Sequence, residues 1–82
     1  MITNSLEWNT LQDTLRHRAK GLGYSKDVLR MINNIHSEIT QLSIAEIESR
    51  RGRSHRAEEL LIKINQDIEL VEEYLLVAAL LG

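Results

Sequence analysis

The stretch "AEELLIKINQDIELVEEYLLVA", residues 57–78, decides how the chain is read. Ala57, Leu61, Ile64, Ile68, Val71, Leu75 and Ala78 recur at steps of four, three, four, three, four and three. Such a spacing averages 3.5 residues, close to one helical turn, so these side chains form one seam along a helix that packs against a partner at a shallow angle. Mid-helix the stripe is kept narrow by Asn65, Gln66, Asp67 and Glu69. The end is different: residues 74–81 are eight apolar residues in succession, covering the whole circumference. A helix apolar all round is either deeply buried or has a surface for something else to cover.

Upstream, Val28, Ile32, Ile35, Ile39 and Leu42 repeat the same four-three spacing, which predicts a second long helix. Ser25 is placed to cap it and Asp27 to complement its dipole. Beyond Leu42 the pattern changes. Ile44 and Ile47 fall on another face, and Ser43 with Glu46 has the spacing of a capping box, so either the helix kinks at Ser43 or it continues and buries two faces.

A shorter stripe of Trp8, Leu11, Leu15, Ala19 and Leu22 predicts a first helix, with Asn4 and Glu7 in capping-box spacing at its start. Gly21, Gly23 and Gly52 lie between these periodic segments, where helices end in left-handed backbone. Proline is absent, so nothing interrupts the segments from within. The fold expected is therefore all-α and a single domain over residues 1–82. Its helices cover about 4–22, 26–51 and 55–81, the last two pairing as a long antiparallel hairpin with Ser54 capping the third.

Several function classes are excluded or disfavoured. With 43% apolar and 27% charged residues the composition is that of a folded domain, and 82 residues leave room for only one small core. Without cysteine there is no disulfide, thiolate chemistry or sulfur-ligated metal. The longest apolar run is far below the roughly 20 residues of a membrane-spanning helix. The mixed opening residues do not read as a secretory leader, so a cytoplasmic location is expected.

Catalytic chemistry finds no constellation either. His17, His36 and His55 are 19 residues apart and share no helical turn, "GLGYS" lacks the lysine and preceding strand of a phosphate loop, and Glu58–Glu59 and Glu72–Glu73 diverge as sequence neighbours do. Neither an enzyme, a cofactor nor a metal is expected.

Two surfaces stand out as places for partners. The first is the apolar end of the third helix, for which Trp8, Tyr74, Leu76, Val77, Leu80 and Leu81 are the candidate interface residues. The alternative is that residues 74–81 pack internally against Trp8, Leu11 and the start of helix two. The second is the turn "SRRGRSHR", where Arg50, Arg51, Arg53 and Arg56 could cap the preceding helix, meet an acidic protein or contact phosphate. Charge is divided unevenly: residues 1–56 carry nine Lys or Arg and six Asp or Glu, residues 57–82 one and six.

The expectation is a non-enzymatic interaction module, a small adaptor, co-chaperone or regulator that forms homo- or hetero-oligomers through the apolar end. One alternative is a nucleic-acid-associated regulator using the Arg-rich turn with "RHRAK" at residues 16–20. The net charge of −2 and the lack of aromatic residues among the basic ones argue against it. A small structural subunit of a larger helical complex is the other. Helical hairpins with such seams are too common for layout to identify a family.

Overall fold

The computed structural model describes residues 1–23, 26–49 and 55–81. A 3₁₀ turn (Ser5–Glu7) leads into α1 (Trp8–Gly21), followed by α2 (Lys26–Ser49) and α3 (His55–Leu81), with no strand among the described residues. The body measures 48 × 17 × 16 Å, a rod one helix length long and two helices across.

Both long seams are buried, that of α3 as far as Leu75, with Ala78 only partly covered. Val28, Ile32, Ile35, Ile39 and Leu42 of α2 meet Ile64, Ile68, Val71 and Leu75 of α3 in one core, with Ala57 and Leu61 packed at its edge. Glu38 pairs with Lys63 at 3.0 Å, while Met31 and Leu70 line one groove together, so residue numbers rise on one helix as they fall on the other. The pair is antiparallel. Carried along from Glu38 and Lys63, this register brings Lys26, the first residue of α2, level with Leu75. Leu75 is also the last buried residue of α3.

α1 lies along both long helices and contributes Trp8, Leu15 and Ala19 to the core. Its Arg16 side chain donates to Gln12 Oε1 and to Asn33 of α2. It ends in two closing bonds, Leu22 N–H to the Ala19 carbonyl and Gly23 N–H to the Lys20 carbonyl, with Gly23 at φ +93°, the left-handed backbone a glycine accepts without strain.

The structure corrects several expectations. α2 runs unbroken through Ser43, whose hydroxyl donates to the Ile39 carbonyl one turn back. Ala45, not Ile44 or Ile47, continues the buried seam; both isoleucines are more than half exposed. The proposed capping boxes dissolve too. Asn4 does cap, accepting from Leu6 and Glu7 N–H, but the Glu7 carboxylate turns back to Thr3, whose N–H and hydroxyl hold it below the ordinary carboxylate range, the hydroxyl most. Glu46 reaches across to Ser5, taking hydrogen bonds from its N–H and its hydroxyl. Leu22 is exposed rather than part of the α1 stripe.

One residue near the start of the chain is packed as well, although no apolar stripe includes it. Ile2 is buried, and its backbone is clamped to α3: Ile2 N–H donates to Asn65 Oδ1 at 2.8 Å and Asn65 Nδ2 donates to the Ile2 carbonyl at 2.9 Å. One side-chain amide thus satisfies a backbone donor and acceptor together.

Candidate functional site

The lengths of the helices create the site. At 1.5 Å per residue the 27 residues of α3 span about 40 Å and the 24 of α2 about 36 Å, and the register offsets them, so α3 projects beyond the first residue of α2 by about 9 Å. That overhang is residues 76–81, most of the unbroken apolar run. Tyr74 is 39% exposed, Leu76 55%, Val77 52%, Leu80 78% and Leu81 84%. Internal packing of the terminal run is therefore not what this fold provides.

The exposed residues divide between two faces. On one, Leu70, Tyr74, Val77 and Leu81 step by four, three and four beside Met31 of α2, forming with Glu73 and Ala78 an open groove of about 610 Å³. On the other, Leu76 closes a cleft of about 450 Å³ with Met1, Arg18, Asn65, Glu69, Glu72 and Glu73. Trp8 belongs to neither. It is 1% exposed, with its indole N–H donating to His36 Nδ1 at 3.3 Å, and is a core residue rather than an interface residue.

Toward the middle of the rod the groove turns polar. Glu38, Lys63 and Asp67 share it with Asn34, Ser37 and Gln41. Lys63 Nζ lies 3.0 Å from Glu38 Oε2 and 3.4 Å from Asp67 Oδ2. The Glu38 oxygens are buried, and their contact with Lys63 is poorly aligned. Burial first, then the neighbouring Asp67 carboxyl, hold Glu38 above the ordinary carboxylate range, with Lys63 offsetting part of this. Lys63 is raised in turn, chiefly by its hydrogen-bonding contact and charge interaction with Glu38.

Of the Arg-rich turn, Arg50, Arg51 and Arg53, with Gly52 and Ser54, lie outside the described residues, as does Ser25. Arg56 is exposed at the start of α3. The "RHRAK" segment does not form one basic face: Ala19 is buried, Arg16 is engaged with Gln12 and Asn33, and Arg18 sits in the cleft beside three glutamates. The histidines stay apart, with His55 paired to Glu59 at 2.9 Å and His36 to Trp8. Among the described residues no three His, Cys, Asp or Glu are gathered to hold a metal ion, and no helix is long and apolar enough to cross a membrane.

Met31 and Leu70 are the site residues that the sequence stripes passed over. Leu70 carried a signal, since it begins the 70-74-77-81 spacing, a second heptad line beside the buried one. Met31 carried none, because its place opposite Leu70 depends on the register of the hairpin.

Chemically, the site is an exposed apolar surface on a helical hairpin, bordered by acidic side chains. The chain matches no protein-family model, no curated protein and no solved structure.

Proposed function

We propose that this chain is a non-enzymatic protein–protein interaction module, a small adaptor, co-chaperone or regulator. It associates with itself or with a larger protein through the apolar end of α3. The observation that carries this reading is the overhang, where Leu76, Val77, Leu80 and Leu81 are each more than half exposed beyond the point at which α2 ends its cover. Isolated exposed leucines are common on protein surfaces, but a contiguous apolar end is the signature of an interaction site. The acidic neighbours Glu69, Glu72 and Glu73 form a polar rim of the kind that surrounds such patches.

The test is the double variant Val77→Glu, Leu81→Glu, both in the groove at the apolar end. Both residues lie outside the core, so the monomer should unfold within about 0.5 kcal/mol of the parent. Binding of the apolar dye ANS to the dilute protein should fall, as should association at higher concentration. A variant that loses about 2 kcal/mol or more as a monomer would make this end structural rather than a docking surface. Unchanged dye binding together with unchanged mass would also overturn the reading.

A further inference from the structure

Resting on that reading, we infer that the groove lined by Met31, Leu70, Tyr74, Val77 and Leu81 is filled by a second copy of this chain. The copy lies alongside at the same height, related by a two-fold axis parallel to the helices, so that α3 of each copy faces α2 of the other and the two hairpins make a four-helix core.

Three features favour this occupant and this arrangement. The first is area. The exposed parts of Leu70, Tyr74, Val77 and Leu81 sum to on the order of 500 Å² per copy, so two copies cover about 1,000 Å² of apolar surface before any polar contact, which reaches the size a specific interface needs.

Charge is the second. Glu73 stands on the α3 wall of the groove. Arg30 precedes Met31 by one residue, which places it 100° round α2 on the side away from buried Ile32, and Lys26 is one turn earlier. In the hairpin register Glu73 lies level with Val28, between Lys26 and Arg30. Side by side, the Glu73 rim of each copy therefore meets the Lys26 and Arg30 rim of the other, and the pairing occurs twice per dimer.

The third is the polar stretch at Glu38, Lys63 and Asp67, which interrupts the apolar line at a single level. Alongside packing places Lys63 of each copy across from Glu38 of the other, and any axial slip would set those charges against apolar side chains. Buried polar positions fix register in helical assemblies in this way. An end-to-end overlap of the apolar tips would leave the same charges facing water and would leave Lys26 and Arg30 without Glu73.

Light scattering on a sizing column, at loads up to on the order of 100 µM, should give about twice the 9.4 kDa chain mass. Val77→Lys, in the groove, should return a helical monomer by circular dichroism, whereas Ile47→Lys, exposed on α2 outside the groove, should remain dimeric. Glu73→Arg should weaken the dimer about tenfold and Glu73→Arg with Arg30→Glu should restore it. The chain has no cysteine, so Glu58→Cys takes a single spin label near the end of α3 opposite the tip. Alongside copies place the two labels about 30 Å apart, and tip-to-tip copies more than about 50 Å. A monomer at every concentration, a dimer indifferent to Val77→Lys, or the longer distance would overturn this inference. A monomer that still binds ANS would leave the docking reading standing, with a different protein as its occupant.

Discussion

The clamp between Ile2 and Asn65 makes a quantitative prediction about what holds the opening residues to the bundle. Asn65→Ala removes both hydrogen bonds, at 2.8 and 2.9 Å, from a partly buried site. At about 1 kcal/mol net each this costs about 2 kcal/mol, from which about 0.5 is recovered because alanine is the better helix former. Ile2→Ala should cost about 2–4 kcal/mol, since the side chain is 2% exposed within the core.

The two losses should not add. Once the clamp is gone the segment lifts and Ile2 leaves the core, so the double variant should fall short of the sum by about 1 kcal/mol or more. Urea unfolding followed through Trp8, the only tryptophan, reads this directly, with Asn65→Ala moving the midpoint by about 1.5 M for a slope near 1 kcal/mol/M. An Asn65→Ala protein within about 0.5 kcal/mol of the parent, or strict additivity in the cycle, would refute the clamp as the element that fixes Ile2.

Other perturbations follow from the same structure. Glu38 binds its proton more tightly folded than unfolded, where 4.5 is the ordinary value, so the parent loses stability as pH rises from there through the folded value. In the monomeric Val77→Lys background, Glu38→Gln should therefore match the parent near pH 4 and unfold at higher urea at pH 7; a less stable variant at pH 7 would count against the burial argument. Ile47→Lys should change stability by less than about 0.5 kcal/mol, because the side chain is exposed, whereas Ala45→Leu should cost about 1–3 kcal/mol by overpacking a position with no free surface. Thermal unfolding distinguishes the two. Gly23→Ala should lower stability by about 1 kcal/mol through its φ of +93° alone, since a Cβ there would meet no atom within 4 Å, and Gly23→Asn, which tolerates left-handed backbone, should cost less.

Local pattern carried the helices and the buried lines of α2 and α3, because burial along a straight helix repeats with the helical period and each seam faced a partner as far as Leu75, beyond which Ala78 lines the open groove. The seam from Val28 to Leu42 stopped being a guide only past its end. Ala45 is small, and its burial is decided by how closely its neighbours approach, while Ile44 and Ile47 are apolar yet more than half exposed. Trp8 was legible as a stripe residue but not as a core residue, since its depth depends on α1 lying against both long helices and on His36 meeting its N–H.

The residues alone were enough to show which segments are helical, which faces of α2 and α3 are buried, and that residues 74–81 hold more apolar surface than one partner helix can cover. Where that surplus ends up was settled by packing. The register of the hairpin stops α2 level with Leu75 and leaves six residues of α3 beyond it, and the same register brings Met31 beside Leu70 and Glu38 beside Lys63. Register is a property of two helices packed together, set by how their side chains interlock over the whole length, and the residues of either helix alone do not contain it.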